Sequence, residues 1–147
     1  MKKMMIILSI MLLVGCGTTT KVNFIPSGEE GQKRFSTFRS AGKSFSLKEL
    51  RSVPVISDAS KIDPDLYTII GVLEITWGRM DGTAERVPIS IVMDEFRKRC
   101  LQFDGDALIN TQLNVFVGSY WCHRATVIIF KDKQKTIQLL KDQGLIK

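Results

Sequence analysis

The chain has 147 residues, 44% of them hydrophobic and 24% charged, with a formal net charge of +6. That length allows one modest domain with its own core, and the composition is that of a folded chain rather than a disordered one. Basic and acidic residues are interleaved (Glu29, Glu30, Lys33, Arg34; Asp94, Glu95, Arg97, Lys98, Arg99), which argues against the basic stripe of a nucleic-acid-binding protein and leaves only a weak attraction to anionic surfaces.

Lys2 and Lys3 form a charged n-region, and Met4 to Val14 is an apolar run interrupted only by Ser9. The run is shorter than the roughly 20 residues of a spanning helix and suits a secretory h-region. It ends in Leu13-Val14-Gly15-Cys16, which resembles the bacterial lipobox: a branched apolar residue, a small or β-branched one, Gly or Ala, then Cys. The resemblance implies a lipoprotein signal peptide over residues 1–15. It further implies a diacylglycerol on Cys16 Sγ and, after cleavage, an acyl chain such as palmitate on the new amine. Several chains at about 0.8 kcal/mol per buried methylene hold such a protein on its membrane permanently. The plainer alternative is an ordinary signal peptide with a chance cysteine. Loss of Lys2 and Lys3 lowers the charge of +6 by two. Gly17 stands where enteric-type sorting places an aspartate for inner-membrane retention. The expectation for a Gram-negative cell is therefore the outer membrane, facing the periplasm or the cell surface.

Residues 16–46 are rich in Gly, Ser, Thr and charge, with isolated Phe24, Phe35, Phe38 and Phe45 and no sustained period. They predict a lipid-anchored flexible tether, pinned at most where a phenylalanine meets the domain. Its coil span is roughly 30 Å, with a ceiling near 100 Å. Leu47–Ile56 suits a short strand that Pro54 confines to an edge, and Ser57–Asp65 is turn chemistry. Tyr67–Trp77 alternates as the first strand of the core. Tyr67, Ile69, Gly71, Leu73, Ile75 and Trp77 fall on the core side, and Thr68, Ile70, Val72, Glu74 and Thr76 on the other. Gly71 marks a bulge or a close approach of a helix.

From Pro88, placed for the first helical position, Ile89, Val92, Met93, Phe96, Cys100 and Phe103 form one apolar stripe, which predicts an amphipathic helix. Gly105 in Asp104-Gly105-Asp106 is the expected left-handed cap. Ala107–Val117 alternates, Gly118–Cys122 turns, and Arg124–Lys131 returns as a β-branched strand, pairing as a hairpin. Thr136–Gln143 predicts a short C-terminal helix with Ile137 and Leu140 inward. The fold class is α+β. A small mixed sheet of three to four strands carries one main helix on one face (a β-α-β-β core), over residues 47–131, with a tail or short helix over 132–147.

The helix, the corner Asp104-Gly105-Asp106-Ala107-Leu108-Ile109-Asn110, the strand Arg124-Ala125-Thr126-Val127-Ile128 and the opening Tyr67-Thr68-Ile69-Ile70-Gly71 together resemble the YbjQ-like proteins. Cys122-His123-Arg124 resembles the segment before the last strand of RcsF-like sensors, the lipoprotein members of that fold. The resemblance covers about residues 50–131 and implies the fold and an envelope location. RcsF-like sensors carry four cysteines in two disulfides, whereas this domain has Cys100 and Cys122, so the signalling role is not carried over. The last residues, Leu139–Lys147, are similar to the opening of SHOCT modules, beside the plainer reading of a docking tail.

The export signal places the cysteines in a compartment that permits disulfides. On the predicted topology Cys100 and Cys122 lie at opposite ends of the strand between them, roughly 30 Å apart, whereas a disulfide needs Cα atoms within about 7 Å. Cys122-His123 is the one soft-ligand cluster. A metal site needs more ligands, and neighbours on a strand point to opposite faces, which serves a Cys–His dyad poorly. Cys122 retains a possible redox or cross-linking role. Asp81, Asp104 and Asp106 sit beside glycines as turn and cap residues rather than as a carboxylate pair. No catalytic residue, metal ligand or cofactor site is therefore assigned, and the chain is not read as an enzyme.

The candidate surface is the sheet face away from the helix, with Glu74, Thr76, Asn110, Gln112 and Asn114, helped by Tyr120 and Trp121 on the hairpin. It reads either as a solvated face or as a site for an envelope protein partner or a homo-oligomer. The expectation is a lipid-anchored, non-enzymatic protein-binding or stress-sensing and assembly module without nucleic acid. A small envelope metal-binding protein or hydrolase is the alternative.

Overall fold

A computed structural model describes residues 18–38, 43–79, 88–117 and 120–147. Its strands are β1 (Thr18–Pro26), β2 (Val55–Ile56), β3 (Tyr67–Arg79), β4 (Ala107–Val117) and β5 (Tyr120–Phe130). Its α-helices are α1 (Gly28–Thr37), α2 (Leu47–Ser52), α3 (Ile89–Gln102) and α4 (Lys133–Asp142). The class is α+β, and the strands form one mixed sheet in the order β1-β3-β5-β4-β2. Because β3 and β4 both run antiparallel to β5, they are parallel to each other, with α3 as the crossover between them and β5 inserted between the two. β5 begins at Tyr120, so Tyr120–Cys122, expected in the turn, are paired strand residues.

The sheet has five strands rather than the three to four expected, and the difference is β1. Residues 18–26 pair along β3 from Thr18↔Arg79 to Pro26↔Gly71, and α1 follows at once, so the tether expectation is corrected over this stretch. Alternation puts Val22 and Phe24 opposite Ile75 and Leu73 on the core side. Only two inward apolar positions mark the strand, and Ile25 breaks the pattern outward at 55% exposure, which is why no period is visible in the sequence. Ser27 N–H donates to Ile70 O at 2.9 Å, where the chain turns into α1. A side chain at Gly31 would strike the Ile70 carbonyl, and one at Gly71 would strike the Phe24 ring.

Aromatic stacking and a cap fasten the segment to the main helix. Phe24 stacks on Phe103 with ring centroids 3.9 Å apart, and Phe38 stacks on the same ring at 4.4 Å. Arg34 Nη1 donates to the carbonyls of Phe103 (3.1 Å) and Asp104 (2.8 Å), while Nε binds Glu30 at 2.7 Å. A guanidinium there satisfies carbonyls left over by α3 and complements the negative end of its dipole.

Leu47–Ser52 is helical where a strand was expected. Ser46 and Glu49 form a reciprocal capping box, with Glu49 N–H donating to Ser46 Oγ (3.2 Å) and Ser46 N–H to Glu49 Oε2 (2.7 Å), a Ser-x-x-Glu signal present in the sequence. The strand shrinks to β2, which lies parallel to β4 at the sheet edge as Val55↔Leu108 and Ile56↔Ile109. Pro54, lacking an N–H, contributes its carbonyl to Leu108 N–H at 3.0 Å.

Two irregularities reassign faces. The β3–β5 register shifts between Ile69 and Gly71. Ile70 is fully buried in the cluster beneath α3, with Leu73, Ile75, Val92, Phe96, Cys100, Leu108 and Val127, while Ile69 is 40% exposed. Tyr67 packs instead with the second cluster, on the opposite face, around Ile56, Ala107, Ile109, Ile128, Phe130 and Leu140. On β4 the register shifts between Ile109 and Gln112 and again before Val115, and Asn110 takes a positive φ of 51°. Leu108 and Gln112, expected on one face, therefore face opposite sides. α4 starts at Lys133, capped by Asp132 accepting from Lys135 N–H (3.1 Å). It lays Leu140, fully buried, and Ile137 on the second cluster, so at this end the sheet is covered on both faces rather than one.

At the corner after α3, Asp104 rather than Gly105 adopts the left-handed conformation, with φ 53°. Gly105 is needed for space: a Cβ there would collide with Val127 Cγ1 and come within 2.7 Å of Cys100 Sγ, both core atoms. Gly105→Ala is expected to lower stability by about 1–3 kcal/mol by overpacking, measurable as a reduced urea midpoint at unchanged slope. Asp106 works structurally as well. Its carboxylate accepts Phe130 N–H at 2.9 Å and pairs with Lys133 Nζ at 2.8 Å, tying β4 to β5 and α4.

Candidate functional site

Cross-strand partners share a face of the sheet, so the register defines the rows of the uncovered part of the face opposite α3. One row reads Asn23, Glu74, Arg124, Gln112 across β1, β3, β5 and β4. Beside it lie Ile25, Val72, Thr126 and Ile109 on one side and Lys21, Thr76, Cys122 and Val115 on the other. At the row's centre Arg124 holds Glu74 through Nε (2.9 Å) and Nη2 (2.8 Å), so both bonds reach one carboxylate oxygen, Oε2. The guanidinium remains mostly exposed and Gln112 is exposed beside it. An exposed pair of this kind contributes little to stability. Its chemistry suits a partner's peptide groups or carboxylates, which such a donor engages without proton transfer.

Of the residues singled out in the sequence, Glu74, Thr76 and Gln112 meet on this face. Asn110 is an exposed bulge residue at its border. Asn114 lies in the irregular stretch of β4 between Gln112 and Val115. Tyr120 pairs with Val117, and Trp121 with Trp77 and Phe116, at the hairpin end of the sheet. Ile70, expected beside these residues, lies under α3 instead. Asn23, Ile25, Arg124 and Thr126 belong to the face but were not assigned to it. The first two sit in the supposed tether, and Arg124 gains its meaning only from the register that sets Glu74 opposite. Cys16 and Asp81 lie outside the described residues.

Cys122 and His123 are separated by the sheet itself. Cys122, buried, shares the face of Thr76 and Arg124, whereas His123 sits opposite Ile75 on the α3 side with no solvent exposure. Burial lowers the His123 pKa below its ordinary 6.5, so the imidazole is neutral at physiological pH. Cys100 lies beneath α3 with its thiol directed to Ala107 O at 3.8 Å, across the sheet from Cys122, and both thiols are free and buried. Neither of these cysteines is expected to react quickly with a maleimide in the folded protein. Both should label in denaturant without reductant, a result that labelling only after reduction would contradict.

Among the described residues, no group of three or more His, Cys, Asp and Glu side chains is placed to hold a metal ion, and no helix is long and apolar enough to cross a membrane. A cleft of about 440 Å³ lies between Arg51–Val55, Arg97 and Gly144–Lys147. Arg97 Nη1 there reaches Asp94 at 3.4 Å, so part of its charge is already engaged. No protein-family model matches the chain, and comparison with curated proteins and with solved structures gave no match.

Proposed function

We propose that this protein is a lipid-anchored, non-enzymatic binding module of the bacterial cell envelope. It is held through Cys16, in a Gram-negative cell at the outer membrane, and its open sheet face engages an envelope protein or a second copy of the chain, as a stress-sensing or assembly module does. The Leu13-Val14-Gly15-Cys16 lipobox behind a charged, apolar leader carries the anchoring half. The binding half is supported by the polar row Asn23–Glu74–Arg124–Gln112 on the part of the sheet that none of the described helices covers. The resemblance of the helix–corner–hairpin unit to YbjQ-like and RcsF-like domains supports the same reading.

Two measurements test it. Growth with an alkyne fatty acid should label the wild-type protein and not Cys16→Ser. A photo-crosslinking amino acid at Gln112 should give a discrete adduct in living cells, while one at the exposed Lys135 of α4 should not. Unlabelled wild-type protein would overturn the anchor, and acylated protein without adducts at Gln112 or Thr126 would overturn the binding surface.

A further inference from the structure

We infer that the cleft at the β2 edge of the sheet takes an extended peptide of alternating carboxylate and apolar side chains, which adds to β2 as a further strand. The site is separate from the open sheet face proposed above and does not depend on the Cys16 anchor.

β2 is the last strand in the order β1-β3-β5-β4-β2. Its bonding to β4 turns one residue outward. Leu108 N–H donates to the Pro54 carbonyl at 3.0 Å, so that carbonyl points toward β4. Across the trans peptide the N–H of Val55 points the opposite way, and in extended chain the Val55 carbonyl lies on the same side. Val55 thus presents one donor and one acceptor to the free edge, the pair that strand addition uses. It also lines the cleft of about 440 Å³, a volume in the range of ligand sites.

The walls of the cleft differ in chemistry and stand on opposite faces of the sheet. Arg97 belongs to α3, and Arg51 to α2, which packs against α3. Leu145 and Ile146 pack instead on the second cluster, on the face away from α3. Side chains of an added strand alternate between those two faces. Every second residue then meets the arginines, and the residues between them meet Leu145 and Ile146. Among the described residues no Asp or Glu lines the cleft, so the arginine wall calls for carboxylates and the tail wall for apolar groups.

Arg97 supplies the second observation. Its side chain is 24% exposed, and Nη1 reaches Asp94 only at a long 3.4 Å. Its Nε is buried and has no hydrogen-bond partner among the described residues. Buried donors are seldom left unpaired, because the loss of solvation is costly. The donor capacity of this guanidinium is largely unspent, and a carboxylate arriving in the cleft, met by a small turn of the side chain, supplies the acceptor.

The test is a titration of the isotope-labelled full-length chain in detergent with acetyl-Val-Glu-Val-Glu-Val-amide, followed by amide resonances. Binding should shift Val55 and Ile56 and leave Thr76 and Thr126, on the open face, unmoved. Acetyl-Val-Val-Glu-Glu-Val-amide keeps the charge and composition but breaks the alternation, and should bind about five-fold more weakly or less. The fully N-methylated form of the first peptide, which cannot donate to the Val55 carbonyl, should not bind. Arg97→Gln should weaken binding by about five-fold or more and Arg51→Gln by about two-fold. The peptide comparisons use the wild-type chain, so they decide the matter even where Arg97→Gln is unstable. Unmoved Val55 and Ile56 at millimolar peptide would overturn the site. Equal affinity for the two sequences, or binding that survives N-methylation, would overturn strand addition. Inorganic phosphate that shifts the same amides and displaces the peptide at equal concentration would reduce the cleft to a simple anion site and overturn the proposal.

Discussion

Replacing Phe103 by alanine is expected to cost about 3–5 kcal/mol of folding stability, the range for removing a buried aromatic ring. Phe103 is 4% exposed and closes α3, where it stacks on Phe24 at 3.9 Å and on Phe38 at 4.4 Å. The substitution leaves a cavity at the junction of α3 with the N-terminal segment and removes the common partner of both rings. Each aromatic contact is worth about 0.5–1.5 kcal/mol beyond the area it covers. The backbone carbonyl of Phe103 remains for Arg34, so the cap and the close approach of Gly31 to Ile70 must then hold α1. Phe35 provides the contrast. It is 48% exposed and 6.2 Å from Phe24, and Phe35→Ala is expected to cost about 1 kcal/mol or less, in the surface range. Urea denaturation of the two variants separates a packed junction from a loosely attached segment, because a flexible tether would make the two substitutions far more alike.

A second large effect is expected in alkali. Burial, reinforced by the Asp106 carboxylate and opposed by Lys133, pushes the Cys100 thiol from an ordinary 9.0 up to about 12. The folded state therefore keeps its proton where the unfolded state has lost it. Stability contributed by the neutral thiol is fully present below pH 9 and fades as pH rises from about 9 toward 12, by on the order of 1 kcal/mol per pH unit. Other groups titrate in the same range, so the comparison is with Cys100→Ala. That variant should be less stable than wild type at pH 7 by about 1–3 kcal/mol, and the gap should narrow steadily above pH 9. A gap constant to pH 11 would mean that the thiol is not held in the core as described.

What the sequence made legible and what it hid divide along a physical line. The apolar stripe through Val92, Phe96 and Cys100, the hairpin, the edge role imposed by Pro54 and the inward Leu140 all rest on patterns a residue window displays, and each stands in the structure. The failures arose where one residue changes the count. A bulge at Ile70 put Tyr67 and Ile69, which precede it, on the second face and Ile70 in the core, while Leu73 and Ile75 kept the face expected of them, since a one-residue slip inverts the side chains on one side of it relative to the other. Asn110 in a left-handed conformation did the same for β4. β1 was hidden for another reason. Its value lies in Phe24 and Phe38 meeting Phe103, a contact far away in sequence that no window contains. Half of the open face went unrecognised with it, because Asn23 and Ile25 join Glu74 and Val72 only once β1 is a strand.

That strand carries the account, for it replaces a long flexible leash by a sheet that begins at Thr18, two residues after the proposed anchor position Cys16. Residue-resolved hydrogen exchange on the protein at neutral pH tests it directly. The prediction is strong protection of the β1 amides that bond to β3 between Val22 and Ile25, and of Ser27 N–H, which donates to Ile70 O, lost in Phe103→Ala at milder conditions than protection in β5. Exchange of residues 18–37 at the rate of an unstructured chain, beside a protected β3 and β5, would contradict the account and restore the tether.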